Sequence, residues 1–177
     1  LVKAYWTHEK YDENIIYDVA RQFVLPPHRL YKVRDIDGVG FWNDSKATNF
    51  SATLSALRSF ERKVIWISCG RSKGGSIDGF IRNVKPYVSS AVIFGEVSEA
   101  LQNAMHHEGI PYHLVNRIEE AVQKANNIKS GTMDVVFSPG FSSFDDFKNY
   151  AERGCAFESA INKITNIRTK VLSTSCL

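Results

Sequence analysis

From Leu30 onward the chain alternates short apolar runs with stretches in which apolar residues return every three or four positions. Leu30–Ile36 and Val39–Trp42 read as two strands around Asp37-Gly38, a dipeptide suited to a two-residue hairpin turn. Lys63–Ser68 carries a continuous apolar run, as expected of a strand covered on both faces. Ser90–Phe94, Tyr112–Val115 and Asp134–Phe137 read as further strands. Between them the helical period predicts helices over Phe50–Phe60, around Ile77–Val84, and over Ser98–His107 and Ile118–Asn126, with a final helical region from about Phe147 to Ile164. Leu1–Val24 reads as one more helix, with Ile15, Ile16, Val19, Ala20 and Phe23 on one face, before Pro26-Pro27 forces an extended entry. Strands alternating with helices predict an α/β fold, a mostly parallel sheet with helices on both faces. In such sheets ligands sit outside the carboxyl ends of the strands. Three polar loops fall at that edge: Asn43–Asn49, Gly70–Ser76 and Ser138–Ser143.

The length of 177 residues allows one domain, or one domain with a remnant of a neighbour. An apolar content of 44% is enough to bury a real core. The net charge of +3 comes without a long Lys/Arg run, which gives no indication of nucleic acid. There is no run of eighteen apolar residues and no signal-like start, so neither a membrane nor export is expected. Cys69, Cys155 and Cys176 lack metal-ligand spacing, and their odd number argues against a disulfide scaffold; a reducing cytoplasm fits. A start at Leu1 suggests a piece of something longer.

The loops offer anion chemistry. Helix Phe50–Phe60 follows Thr48 and Asn49, either of which suits its cap, so its N–H groups and positive dipole end stand beside Lys46. Gly70–Gly75 sets Arg71 and Lys73 among glycines that let a backbone approach a ligand, yet it matches neither the Walker A pattern nor Gly-x-Gly-x-x-Gly. The hydroxyls of Ser138–Ser143 suit a carboxylate, but no motif joins a serine to any of the five histidines. His106-His107 and Asp145-Asp146 read as helix-terminal residues, and Cys69 as a core residue. The pattern therefore gives a small-molecule anion site with no complete catalytic set and no metal site.

Asn43-Asp44-Ser45-Lys46-Ala47-Thr48-Asn49 resembles the Asn-Asp-Ser-Lys-Ala-Thr-Asn signature of the D-glutamate-adding Mur ligases. Leu25-Pro26-Pro27-His28-Arg29 is similar to their Gly-Leu-Pro-His-Arg, and Gly70–Gly74 to their Gly-Gly-Arg-Asp-Lys-Gly. Ser138–Asp145, Phe147–Tyr150 and Glu152-Arg153-Gly154 resemble their Ser-Pro-Ala-Cys-Ala-Ser-x-Asp-x-Phe-Lys-Asn-Phe and following Glu-x-Arg-Gly. The resemblance covers about Leu25 to Ile164, and the Ser-Lys-Ala-Thr version separates it from the sister ligases.

This resemblance implies a Rossmann-like C-terminal domain over residues 25–165, a terminal helix of a missing central ATPase domain over 1–24, and a tail over 166–177. The family activates the carboxylate of UDP-N-acetylmuramoyl-L-alanine with ATP as an acyl phosphate. The amine of D-glutamate attacks it, giving an amide, ADP and phosphate for peptidoglycan precursors. Residue by residue, Thr48, Lys73, Ser143, the Phe144 backbone and Tyr150 would hold D-glutamate. Asp44 would contact the ribose of ATP, Arg29 with His28 would face its phosphates, and Lys46 would lie between the ligands. ATP and Mg2+ would serve the full-length enzyme, whose phosphate-binding loop, magnesium ligands and UDP site belong to the missing N-terminal and central domains. The fragment alone would be inactive. Ser72 stands where the family has an acid, Gly140-Phe141-Ser142 replaces Ala-Cys-Ala, and Tyr150 replaces Phe. The alternatives are a freestanding nucleotide- or anion-binding module, and another amide-forming ligase of the superfamily.

Overall fold

A computed structural model describes residues 13–22, 26–131 and 133–174. Of the expected N-terminal helix, Glu13–Gln22 (α1) is described, with Ile15, Tyr17 and Val19 exposed; the rest, including Tyr5, Trp6, Tyr11 and Phe23, lies outside the described residues.

The hairpin forms as its turn residues dictate. β1 (Tyr31–Ile36) pairs antiparallel with β2 (Val39–Asn43), and both turn residues take positive φ, 54° at Asp37 and 79° at Gly38. That is the type I′ geometry whose twist matches the flanking strands. There follow α2 (Phe50–Arg58), β3 (Val64–Cys69), α3 (Ile77–Val84), β4 (Val88–Phe94), α4 (Ser98–Glu108), β5 (Tyr112–Leu114), α5 (Ile118–Ile128), β6 (Val135–Phe137) and α6 (Tyr150–Thr174). Asn49, rather than Thr48, caps α2, its side chain accepting from Ala52 N at 2.9 Å.

The last helix departs from expectation at both ends. Phe147 N donates to Ser143 O in a turn of its own, and Asn149 Oδ1 takes the cap by accepting from Glu152 N at 2.9 Å. The helix therefore starts at Tyr150 instead of Phe147. It continues to Thr174, well into the stretch expected as a tail, because no Gly or Pro interrupts it after Gly154.

The sheet order is β1-β2-β6-β3-β4-β5, and every pair other than β1–β2 is parallel. α2, α3 and α4 cover one face, where Leu57, Phe80, Ile81, Leu101 and Met105 pack on Trp66, Ile93 and Val136. α5 and α6 cover the other, where Val122, Phe157 and Ile161 pack on Phe41, Ile65, Ile67 and Phe137. β3 supplies both faces in alternation and is buried throughout. β6, last in the chain, inserts between β2 and β3. The three polar loops thus leave adjacent strands and meet at one edge.

Candidate functional site at the carboxyl edge of the sheet

The loop after β2 is held from all sides. Asp44 N donates to Phe137 O at 2.8 Å, and Asn43 Oδ1 accepts from Ser45 N at 3.0 Å. The Asp44 carboxylate, 5% exposed, accepts from Leu30 N at 3.1 Å through one oxygen and from the Ser138 hydroxyl at 2.7 Å through the other. Burial pushes its pKa up to about 6, against the pull of those two donors and the Arg29 charge. Gly140 N donates to Ala47 O at 2.9 Å, and Trp66 Nε1 donates to Ser138 O at 2.8 Å. The loops after β2 and β6 are accordingly one hydrogen-bonded unit.

The entry to β1 is tied to the same unit. His28 and Leu30 have φ of 61° and 41°, values that cost non-glycine residues energy and persist only where surroundings impose them. Here Lys46 N donates to His28 O at 2.9 Å and Leu30 N to Asp44. The His28 ring packs on Gly154, with Nδ1 3.0 Å from Asn43 Nδ2 and 3.2 Å from Glu158 Oε1. Tyr31 donates to the same Glu158 carboxylate. His28 is thereby engaged with α6, away from the group formed by its neighbour Arg29.

Two clefts open on the joined loops. Arg29, Asp44 and Lys46 line one of about 330 Å³, with Leu30, Ala47, three residues of α2 (Ala52, Ser55 and Ala56) and its C-cap Ser59 as the remaining wall. It adjoins a larger cleft, which shares Leu30 and Ser59 and runs on to Trp42 and Asp134. The other, of about 100 Å³, is lined by Thr48, Asn49, Phe50, Lys73, Gly74, Gly140 and Phe141. Among the described residues the exposed Lys73 ammonium has no hydrogen-bond or ion-pair partner. Residues 44 and 46 therefore face one cleft and residue 48 the next. Arg29, Asp44 and Lys46 are brought together, as are Thr48 and Lys73. Tyr150 stands under Lys46, whose Nζ is 5.3 Å from its ring centroid. Ser143 is buried and Phe144 is 61% exposed; neither lines the Thr48–Lys73 cleft.

The loop after β3 is anchored at its start, through its second residue. Arg71 and Ser142 exchange backbone hydrogen bonds of 2.9 and 3.1 Å, and Ser142 Oγ donates to Arg71 O. Beyond it, residues 72–76 are exposed.

One residue of the site went without a role in the sequence reading. Arg153 is fully buried; its Nε and Nη2 donate to Ser45 Oγ and O at 3.1 and 2.9 Å, and its Nη1 to Phe141 O at 3.1 Å. Burial lowers its pKa from the usual arginine value, with Cys69 and Asp145 nearby opposing. A signal existed. Arg153, Phe157, Ala160 and Ile161 fall at i, i+4, i+7 and i+8, which puts this arginine on the core stripe of its helix.

A family model described as Mur ligase, glutamate ligase domain, matches residues 28–140. The chain is 36% identical over 163 residues to the UDP-N-acetylmuramoylalanine–D-glutamate ligase of Pseudothermotoga lettingae, covering 92% of this chain and 37% of that protein. It is 34% identical over 156 residues to the ligase of the same name from Clostridioides difficile, covering 88% and 35%. The chain spans about a third of the length of these curated relatives. Among solved structures, it superposes on the UDP-N-acetylmuramate-alanine ligase of Thermotoga maritima with a TM-score of 0.62 at 12% identity, over 90% of this chain and 36% of that one. A folylpolyglutamate synthase of Mycobacterium tuberculosis complexed with ADP gives 0.57 at 16%, over 77% and 33%. At such identities these two likenesses concern the fold.

Proposed function

The chain belongs to the Mur ligase family through its glutamate ligase domain, and from that premise we propose that it is the amino-acid-binding part of an ATP-dependent ligase adding D-glutamate to UDP-N-acetylmuramoyl-L-alanine. The observation that carries this reading is the sharing of one loop between two clefts. Asp44 and Lys46 line the first and Thr48 the second, so a nucleotide phosphate and an amino acid held there would lie a few residues apart, with Lys46 between them.

The first cleft has the donor set a nucleotide requires. Arg29 and Lys46 offer charge to phosphates, the Asp44 carboxylate offers an acceptor to ribose hydroxyls, and the alanines of α2 offer an apolar wall. His28 supports this set from behind, since its carbonyl holds Lys46 and its ring is spent on Asn43 and Glu158. In the second cleft Lys73 and Thr48 provide a cation and a hydroxyl for a carboxylate. Ser143, the Phe144 backbone and Tyr150 would complete the D-glutamate site once ligand and the other domains close upon it. ATP supplies the phosphate that activates the acceptor carboxylate, with Mg2+ neutralising charge on the phosphates. This chain contributes positioning of the amine and stabilisation of charge. Residues 25–165 would form the domain that does so, and α1 would belong to the terminal helix of the central ATPase domain.

The test is phosphate release by the ligase-length protein carrying this chain, given ATP, magnesium and UDP-N-acetylmuramoyl-L-alanine. Turnover is expected with D-glutamate and absent with L-glutamate, D-aspartate and meso-diaminopimelate. Turnover with one of the latter alone would keep the reaction type and overturn the amino acid. No turnover from folded protein would overturn the reading.

A further inference from the structure

We propose that Arg153 is a positioning residue that couples the nucleotide-facing loop to the amino-acid-facing loops. The identity of the two ligands rests on the ligase reading above; the coupling itself rests on geometry. The Arg153 guanidinium lies where all three loops meet. It donates twice to Ser45, in the middle of the segment that lines both clefts, and once to Phe141 O, in the loop after β6. At the loop after β3, a Cβ built on Gly70 would stand 3.1 Å from its Nη1, and the Cys69 thiol lies against it. Among the described residues no carboxylate comes within ion-pair distance of this guanidinium. Its charge is met by two backbone carbonyls and a hydroxyl on two separate loops, in a rigid planar fork.

That arrangement has a consequence for motion. A buried guanidinium cannot give up one of these acceptors without leaving a donor and a carbonyl unpaired in a dry site, so displacement of one loop is resisted by the other. The same Ser45 hydroxyl that accepts from Nε donates to Tyr150 O at 2.7 Å, which extends the linkage to the ring under Lys46. Phe141, whose carbonyl Arg153 holds, itself lines the Thr48–Lys73 cleft. A shift of the signature loop on nucleotide binding would therefore reach the wall of the amino-acid cleft through one side chain.

The experiment has two arms. In the 177-residue chain, Arg153→Lys keeps the charge and loses the fork. Amide exchange is followed at Arg71, Gly140 and Ser142, which carry hydrogen bonds between the loops, and at Lys46, which bonds the loop after β2 to the entry of β1. All four are expected to exchange about tenfold faster or more, the equivalent of one lost hydrogen bond, while the amides of β3 and β4 keep their protection. Acceleration confined to Lys46, or none at all, would overturn the proposal. Should the strands accelerate equally, Ser45→Ala decides. This substitution lies in the loop after β2, and faster exchange at Gly140 and Ser142 supports the coupling, whereas a change confined to residues 44–47 overturns it.

In the ligase-length protein, D-glutamate affinity is measured with and without a non-hydrolysable ATP analogue. The wild type is expected to show a coupling factor of about 5 or more. Arg153→Lys is expected to bring it near one; a merely structural role would weaken both affinities and leave the factor intact, overturning the proposal. A wild-type factor of one overturns it too. If the wild type binds neither ligand, it is the ligase reading that falls, and the exchange arm alone judges Arg153.

Discussion

The loop after β2 and the loop after β3 reach the same edge of the sheet and are built in opposite ways. In the first, Asn43, Asp44, Ser45 and Ala47 are buried, and each is bonded to β1, to the loop after β6, or to α6. In the second, residues 71–76 are all exposed, and the cross-links at its start give way to Ser72 Oγ accepting from Gly74 N within the loop itself. The buried loop commits its polar groups before any ligand arrives and sets two clefts at a fixed spacing. The open loop keeps one cation uncommitted on a long side chain, which can follow a carboxylate at the cost of roughly 2 kcal/mol of rotamer entropy. Under the proposed function, aim falls to the rigid loop and capture to the uncommitted charge.

The largest test of this contrast is Gly70→Ala, at the anchored end of the second loop. With φ of 123°, and with a Cβ there meeting Ser142 O, the substitution is expected to destabilise the chain by about 3 kcal/mol or more, read as a fall in urea midpoint. An unchanged midpoint would show that the anchor yields and that the two loops are less different than described. Next comes Lys73→Ala. D-Glutamate affinity is expected to drop by tenfold to a hundredfold, about 1.5–3 kcal/mol, while the urea midpoint stays put because the ammonium has no partner among the described residues. Equal losses of stability and affinity would contradict an uncommitted charge.

Asp44→Asn probes the committed side. The folded-state pKa of Asp44 is raised to about 6, so protonation favours the fold, and that contribution is full below the unfolded value and disappears as pH rises through 6. The amide should therefore add about 1–2 kcal/mol of stability at pH 8 and close to nothing at pH 4, while weakening nucleotide binding. The wild type, for its part, should bind nucleotide less tightly as pH falls below 6 and the acceptor is lost. Calorimetry at the two pH values checks both signs. Last and smallest, Gly74→Ala adds a Cβ where nothing lies within 4 Å, and should cost only about 1 kcal/mol, for its φ of 97°. A cost equal to that of Gly70→Ala would erase the contrast.

The sequence was informative in proportion to how local the physics is. Asp37-Gly38, the apolar run of β3 and the cap at Asn49 each act within a few residues, and the strands and helices they mark lie within two residues of expectation at nearly every end. The three loops were legible as a group because strand ends in a parallel sheet face one way. The place of β6 between β2 and β3 was not, since nothing in three apolar residues says which neighbours they will have. The burial of His28 was missed for a similar reason: its partners Asn43, Gly154 and Glu158 are distant in sequence. Arg153 showed a cue in its helical register, but an arginine near the start of a helix usually faces water, and only the acceptors supplied by two other loops make its burial tolerable.

The insertion of β6 also sets a schedule for folding. The β1–β2 hairpin and the β3–β4–β5 unit are each made of near neighbours, and both can pair as soon as they leave the ribosome. Neither can be joined to the other until Val135–Phe137 arrives, because β6 supplies both missing ladders. Until then β2 and β3 each present an unpaired edge flanked by apolar side chains, the kind of surface on which nascent chains associate wrongly. Three residues near the end of the domain thus close the sheet, and pairing across so long a stretch of chain is the kinetic cost of bringing three polar loops side by side.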